Sequence, residues 1–179
     1  EGQLYIGALA AVAVSLIHLP YPLHVVVALL AAMLAGMIWS LPVAFLKLGR
    51  GVHEVISTIM FNWIAHFFAF YLIANVLTDP KRGEKTISIA ETSRLARVLP
   101  DASLNFGLLV AVISAVVVLF LLWRTTGGFE LRVSGFNPDA ARYAGISRRR
   151  QILTVFLIGG ATAGLAGAVQ VMGRPPTYA

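Results

Sequence analysis

Four polar side chains recur at intervals of four residues within one otherwise apolar stretch of the sequence. They are Glu54, Thr58, Asn62 and His66. In an α-helix, side chains four positions apart lie on the same face. Polar groups inside a membrane are costly, so such a face either lines a water-filled path or bonds to a neighbouring helix. Both roles stay open for Asn62 and His66, whereas Glu54 fits the start of a helix at the membrane interface.

Two further polar residues, Glu1 and Gln3, precede the first apolar run. On their own they indicate little, because a chain cut from a longer protein also starts abruptly. The start has no positively charged lead of the kind that signal peptides carry. We therefore expect the chain to be a fragment of a larger polytopic protein, incomplete at both ends.

Motifs that would give the chain its own covalent chemistry are absent from the sequence. It contains no G-x-x-x-x-G-K-[ST] loop, no H-E-x-x-H helix and no G-x-S-x-G turn. Cysteine is absent and the four histidines are scattered, which argues against a metal centre. We expect no catalytic residue, no metal and no cofactor, so an energy source has to come from a partner subunit or an ion gradient.

The elements that must position these polar residues are long and apolar. Hydrophobic residues make up 58% of the chain and charged residues 12%, against about 25% charged residues in a soluble domain. No residue between Glu1 and Lys47 is charged, and three more charge-free stretches of 22 to 24 residues follow at 55–78, 102–123 and 151–173. Because about 20 apolar residues span a bilayer core of ~30 Å, each stretch predicts a membrane-crossing helix.

The first charge-free stretch is too long for a single crossing. Pro20 and Pro22 divide it, because proline cannot continue a helix. We predict helices at 3–19 and 23–46, which brings the total to about five. The sequence thus predicts an all-α integral membrane protein with one transmembrane domain over 1–179.

The basic residues of the connections indicate which helix ends face the cytoplasm. The second and fourth connections, 47–51 and 124–150, lie on one side and hold eight Lys and Arg residues, against five in the third connection. Cytoplasmic loops carry the excess of Lys and Arg. We predict that 125–150 is a cytoplasmic loop and that 79–103 is the main external loop. Basic loops also explain the net charge of +6, so we expect a lipid bilayer and no nucleic acid as a partner.

Small residues recur every four positions in two of the predicted helices and favour close helix packing. They are Ala28, Ala32, Gly36 and Ser40 in the second helix, and Gly160, Gly164 and Ala168, flanked by Gly159, Ala163 and Gly167, in the last. The alternative, that the glycines mark a moving or ligand-facing helix, stays open.

The fourth connection contains the signals of a short helix. Asn137 is a suitable N-cap, Pro138 fits the first helical position, and Gly145 is a suitable stop. We predict a helix over 138–144 at the cytoplasmic surface. It offers small and large side chains for contact: Ala140, Ala141, Arg142 and Tyr143. The residues alone allow either an ordinary surface element or a docking element for a partner protein.

Several segments resemble a known protein family. The sequence from 128 to 146, which contains G-F-N-P-D-A-A-R-Y-A-G-I, resembles the cytoplasmic loop of ABC importer permeases in the ribose and branched-chain amino-acid permease superfamily. The glycine-rich run at 159–168 resembles the next helix of that family. The segments 1–8 and 54–65 are similar to the simple-sugar and nucleoside branch, from which Trp63 is a mild departure.

This resemblance implies a permease, not an enzyme, that crosses a bacterial-type inner membrane several times and moves nucleosides or simple sugars by alternating access. It implies a second permease subunit, cytoplasmic ATPase subunits that bind the ATP, and an external substrate-binding protein. The residues implied for the substrate path are Glu1, Gln3, Thr58, Asn62 and His66. Those implied for coupling to the ATPase are Phe136, Asn137, Pro138, Ala140, Ala141, Arg142, Tyr143 and Gly145.

Two other classes of function remain as alternatives. A gradient-driven secondary transporter needs an ionisable residue near the membrane midplane, and His66 is the central candidate. A membrane enzyme would use Glu54, Asn62 and His66 as its site, but the predicted external loop lacks a nucleophile or a metal cluster. Proton-dependent uptake without ATP, lost in His66→Ala, would favour the secondary transporter.

Overall fold

The computed structural model describes residues 1–17, 19–77, 91–95 and 105–173. These ranges contain seven α-helices and one short 3-10 helix. Their bounds are α1 Gln3–Ser15, α2 Leu23–Arg50, α3 Glu54–Asn75, the 3-10 helix Glu91–Ser93, α4 Gly107–Arg124, α5 Thr126–Phe136, α6 Pro138–Tyr143 and α7 Arg148–Met172. The predicted all-α class is confirmed.

Four of these helices, α2, α3, α4 and α7, are long and apolar enough to cross a membrane. α1 is apolar as well, but it has 13 residues and is therefore about 20 Å long at 1.5 Å per residue. That length is less than the ~30 Å of a bilayer core. The five predicted apolar helices are all present, and four of them have the length of a full crossing.

α1 ends at Ser15, short of the predicted end at Leu19. Beyond it, the N–H of Ile17 donates to the carbonyl oxygen of Val14 at 3.0 Å, a step of three residues that does not continue an α-helix. The same carbonyl oxygen accepts from Nε2 of the buried His24 at 3.1 Å. The end of α1 therefore coincides with a contact to α2. The apolar sequence of α1 gives no sign of this contact.

α2 extends to Arg50, beyond the predicted end at Leu46, so Lys47 and Arg50 belong to its last turn. Basic side chains are favourable there because they lie near the negative end of the helix dipole. Gly51 follows with a φ of 60°, a left-handed conformation that glycine adopts readily and that commonly ends helices.

α1, α2 and α7 pack against one another through small residues. Ala28, Ala32 and Ser40 of α2 and Ala168 of α7 are fully buried. A Cβ on Gly164 of α7 would overlap the carbonyl oxygen of Ala32. The predicted close packing along these faces is confirmed, and it forms the core of the described bundle.

The three small residues beside the packed face of α7 differ in burial. They are Gly159, Ala163 and Gly167. Gly167 is buried, and a Cβ there would overlap the carbonyl oxygen of Leu4 in α1. Ala163 is half-buried, and Gly159 is exposed with no neighbouring atom within 4 Å of its Cβ position. Of these three residues, Gly167 is the one that allows a close approach of two backbones.

α3 and α4 lie at the edges of this core. α3 packs on α1 and α2 and buries Ser57, Ala65 and Ala69. α4 buries Gly107 alone among its residues and contacts α7 near that end. The apolar side chains that both helices expose suit a surface that meets lipid or further protein within a membrane.

The connections meet at two opposite faces of the bundle. At one face, Oγ1 of Thr92 in the 3-10 helix lies 2.8 Å from Nδ1 of His24, and the N–H of Leu95 donates to the carbonyl oxygen of Met172 at 3.1 Å. At the other face, α5 and α6 lie beside the end of α2 and the start of α7. The predicted external loop 79–103 lies outside the described residues except for 91–95.

Candidate functional site

The N-terminal segment lies about halfway along the neighbouring helices. The carbonyl oxygen of Glu1 accepts from Nε1 of Trp39 at 2.9 Å, and a Cβ on Gly2 would overlap the Cβ of Ala65. Trp39 is eleven residues before the end of α2, and Ala65 is eleven residues after the start of α3, which is about 16 Å in each helix. α1 therefore begins near the middle of the membrane-crossing bundle.

Glu1 and Gln3 place polar groups at this level. Nε2 of Gln3 donates to the carboxylate of Glu1 at 2.5 Å, with Gln3 buried and Glu1 exposed. Gly2, between them, has a φ of 81°, which glycine adopts without strain and which turns the chain into α1. The first N–H groups of a helix have no partners within it, so a helix that begins at this depth presents polar groups inside the membrane.

The residues of the predicted stripe lie along α3 at different depths. Glu54 forms an ion pair with Lys47 at the end of α2, consistent with a position at the membrane interface. Oγ1 of Thr58 donates to the carbonyl oxygen of Val55 at 3.0 Å, so this hydroxyl is satisfied within its own helix. Neither side chain requires a partner beyond the described helices.

Asn62 and His66 lie at the level of the N-terminal segment. Both are exposed, and none of the described residues forms a hydrogen bond with the side chain of Asn62. The ring of His66 meets the ring of Tyr5 edge to face, with 5.7 Å between the centroids. Because a polar side chain is unfavourable against lipid at this depth, this face of α3 is suited to water, substrate or further protein.

Sequence reasoning missed Tyr5 and Trp39, the aromatic residues that border these polar groups. Trp39 stacks near Phe68 of α3, with 6.2 Å between ring centroids, in addition to its hydrogen bond to Glu1. The contact from Trp39 to Glu1 joins positions 38 residues apart. No periodicity within a single helix relates such positions, so the sequence offers no signal for them.

α5, which the sequence did not predict, opens the fourth connection. Oγ1 of Thr125 accepts from the N–H of Gly128 at 3.1 Å and caps the helix. Gly128 is buried, and a Cβ there would overlap the carbonyl oxygen of Leu121 in α4. Glycine lowers helix propensity, so Gly127 and Gly128 indicate a loop in the sequence, whereas the structure uses Gly128 to fold α5 back against α4.

α6 forms where the sequence predicted a short helix. Oδ1 of Asn137 accepts from the N–H groups of Asp139 and Ala140, each at 3.0 Å. Gly145 has a φ of 78° and ends the segment. The three local signals of this helix, the cap, the proline at its first position and the glycine after it, therefore act as expected.

The residues predicted to couple to an ATPase divide between an outward and an inward surface. Phe136 and Tyr143 are 90% and 93% exposed, and Ala140 between them is exposed as well. Ala141 is 3% exposed and packs inward, where its carbonyl oxygen accepts from the N–H of Ile146. Of the two alanines, Ala140 is the one that a partner protein would meet.

A cleft of about 650 Å³ lies between α6 and the end of α2. Its lining includes the basic side chains of Lys47, Arg142 and Arg148, together with Asp139. Basic residues of this kind are typical of the cytoplasmic side of a membrane protein. The cleft also separates the α6 segment from the end of α2.

The described residues do not bring together side chains that could form a metal site or the alternative enzyme site. No group of three or more His, Cys, Asp or Glu side chains among them could hold a metal ion. Glu54 and Asn62 are eight residues apart in α3, about 12 Å along the helix axis. The three residues of the alternative enzyme site are therefore spread along one helix.

The chain is similar in sequence to several known transport proteins. The chain is 43% identical to the guanosine ABC transporter permease protein of Bacillus subtilis over 97% of this chain and 51% of that protein. It is 32% identical to the nucleoside ABC transporter permease protein of Lactococcus lactis over 97% of this chain and 50% of the relative. It is 33% identical to the glucose ABC transporter permease protein of Haloferax volcanii, over 97% and 49%.

The chain spans about half the length of these curated relatives. No solved structure matches it. Residues 1–175 match the family described as branched-chain amino acid transport system / permease component. With four helices of crossing length among its described residues, the chain is a multi-pass protein of the cell membrane, and it belongs to the branched-chain amino acid transport system permease family.

Proposed function

We propose that this chain forms part of the permease subunit of an ATP-driven ABC importer that moves nucleosides or simple sugars into the cell. The family match supports an ATP-driven permease over a gradient-driven transporter. In this proposal, separate cytoplasmic ATPase subunits bind and hydrolyse the ATP. A second permease subunit and an external substrate-binding protein complete the complex.

The observation that carries this proposal is the outward surface formed by the end of α5 and by α6. Phe136 and Tyr143 expose nearly all of their area, beside a helix that Asn137 caps firmly. Exposed aromatic side chains on a rigid element mark protein-binding surfaces, and aromatic residues dominate the energetics of such surfaces. This surface, outside the crossing helices, suits the ATPase partner that an importer permease requires.

The polar groups near the middle of the bundle support a substrate path. Glu1 and Gln3 at the start of α1 lie beside the same part of α3 that exposes Asn62 and His66. Broken helices that present polar groups at mid-membrane are typical of transporter sites. Thr58, on the same face of α3, lies between this site and the face that carries α5 and α6.

The substrates for which the relatives are named support a class of substrate for this permease. Two of them are named for guanosine or nucleosides and one for glucose. All three substrates are polar, uncharged and rich in hydrogen-bonding groups. A path with carboxylate, amide and imidazole side chains beside the Tyr5 ring offers such molecules both hydrogen bonds and an aromatic surface.

Alternating access then follows from binding differences between two states. ATP binding closes the ATPase subunits, α6 moves with them, and the bundle opens towards the external binding protein. Substrate enters the polar path and leaves inward after ATP hydrolysis. A permease of this kind forms no covalent bond with its substrate, because it converts differential contacts into a shift of populations.

The docking surface is tested by replacing both exposed aromatic side chains in the full-length protein, Phe136→Ala together with Tyr143→Ala. Aromatic anchors of an interface are often worth about 2 kcal/mol or more each, so the amount of ATPase that co-purifies from solubilised membranes should fall by more than about tenfold. Tyr21→Ala is the matched control, because Tyr21 is 61% exposed at the opposite face of the bundle.

The control should retain the ATPase at the native level. Both variants are checked for a single symmetric peak in size-exclusion chromatography, which establishes that they fold. Undiminished ATPase on the folded double variant would show that α6 is not the docking element. Ala141→Arg is unsuitable for this purpose, because Ala141 is buried and an arginine there would disrupt the packing of α6 itself.

A further inference from the structure

A single hydrogen bond between side chains joins α5 to α7. Nε2 of Gln151 donates to Oε2 of Glu130 at 2.7 Å. Within 105–173, which the structure describes without a gap, no other hydrogen bond between side chains links these two helices. Gln151 is 6% exposed, and a hydrogen bond to an ionised carboxylate is roughly twice as strong as one between neutral groups.

α5 and α6 behave as one unit, residues 126–143, which we call the docking unit. The N–H of Asn137 donates to the carbonyl oxygen of Val133 at 3.0 Å and so closes α5. The side chain of Asn137 caps α6 in turn. One residue thus ends the first helix and starts the second, so a displacement of α6 carries α5, and with it Glu130, along.

α7 leads from the docking unit to the middle of the bundle. Its backbone touches α2 at Gly160 and Gly164, and α1 at Gly164 and Gly167, so closely that a Cβ at any of these glycines would overlap another atom. Close-packed interfaces of this kind transmit displacement because they compress little. A shift of α7 therefore also displaces α1, which begins at Gln3 and directly follows Glu1 and Gly2.

Other routes out of the docking unit are less direct. A cleft of about 650 Å³ lies between α6, the end of α2 and the start of α7, and among the described residues no side-chain hydrogen bond joins the docking unit to α2 across it. α4, which precedes α5, buries Gly107 alone, at the opposite end from Arg124. The peptide link from α6 to α7 passes through Gly145, which has a φ of 78° and open space at its Cβ position, so it fixes their relative orientation weakly.

We infer that the hydrogen bond between Glu130 and Gln151 transmits movement of the docking unit to α7 and so couples ATP hydrolysis to substrate transport. This inference rests on the proposed function. In this inference Glu130 and Gln151 act as positioning residues, through their contact with each other, and not by binding ATP or substrate. Breaking their hydrogen bond leaves the ATPase attached and active, but less of its movement reaches the substrate path.

The test exchanges the two side chains in the full-length complex reconstituted in proteoliposomes. Gln151→Glu sets a second carboxylate against Glu130 and breaks the hydrogen bond, whereas Glu130→Gln combined with Gln151→Glu restores an amide donor facing a carboxylate. The readout is the number of guanosine molecules transported per ATP hydrolysed. We expect this ratio to fall by about tenfold in the single variant, the effect of losing a hydrogen bond to a charged group.

The exchanged double variant should return to within about threefold of the native ratio, because it rebuilds the charge-assisted hydrogen bond with donor and acceptor reversed. Gln170→Glu is the control for adding a carboxylate to α7, since Gln170 is exposed near the other end of the helix, and it should leave the ratio unchanged. Gln151→Met breaks the same bond without adding a charge, and it serves if Gln151→Glu does not fold.

The outcomes separate this inference from the proposed function. If no ATPase co-purifies with the native protein, the proposed function fails and the inference falls with it. If the ATPase is attached and active but the folded single variant keeps the native ratio, the inference alone is overturned. A double variant that folds but stays as poorly coupled as the single variant would also overturn it.

Discussion

At the scale of single residues, the polar side chain of Asn62 favours a substrate path over a lipid-facing surface on this side of α3. Its spacing from His66 in the sequence predicted a shared face of α3, and the structure exposes both side chains there. The sequence could not show that the start of α1 lies beside this face. That proximity depends on the contact of Gly2 with Ala65 and on the ring contact of Tyr5 with His66, which join distant positions.

We predict that Asn62→Leu lowers substrate uptake by about tenfold, because it removes one hydrogen-bonding group from the proposed path. The amount of ATPase attached to the permease should not change, since Asn62 is remote from α6. Asn75→Leu is the matched control, because the amide of Asn75 donates to the carbonyl oxygen of Tyr71 at the far end of α3. Native uptake by folded Asn62→Leu would place Asn62 outside the path.

At the scale of elements, local signals predicted some helix ends and missed others. Asn137 and Gly145 act within a few residues of their own positions, so α6 forms as the sequence predicted. The end of α1 coincides with a contact to His24 of α2, and the turn into α5 depends on the fit of Gly128 against α4. Contacts between helices determine the end of α1 and the turn into α5, and helix propensity alone does not predict them.

We predict that Gly164→Val destabilises the protein, because its side chain would overlap the backbone of α2 at Ala32. Overpacking of a well-packed core costs about 1–3 kcal/mol or more, so the temperature of thermal unfolding in detergent should fall by several degrees. Gly159→Val makes the same chemical change on the same helix, at a position with open space around it. Equal unfolding temperatures for the two variants would contradict the packing described for α7.

At the scale of the whole molecule, the described bundle has one face with the docking unit and another with the 3-10 helix. Among the described residues, basic side chains concentrate at the face with the docking unit, where Lys47, Arg142 and Arg148 line the cleft. Because cytoplasmic loops carry the excess of Lys and Arg, we propose that this face lies in the cytoplasm. The polar start of α1 lies between the two faces, which fits the proposed path with alternating access.

We predict opposite labelling of two exposed tyrosine positions by a membrane-impermeant maleimide. The chain contains no cysteine, so Tyr143→Cys and Tyr21→Cys each introduce a single thiol into this part of the protein, in a full-length background without other cysteines. In intact cells that lack the ATPase and whose outer barrier is open to the reagent, Tyr21→Cys should react and Tyr143→Cys should react only after the membrane is permeabilised. The reverse pattern would invert the orientation.

The most direct test of the central claim is the energy requirement of uptake. The full-length permease is reconstituted in proteoliposomes with the proposed ATPase and binding protein. Uptake of guanosine and of glucose, for which relatives are named, is measured with ATP or with a proton gradient as the only energy source. We predict uptake with ATP and none with the gradient alone. Gradient-driven uptake without ATP, lost in His66→Ala, would contradict the claim and identify a secondary transporter.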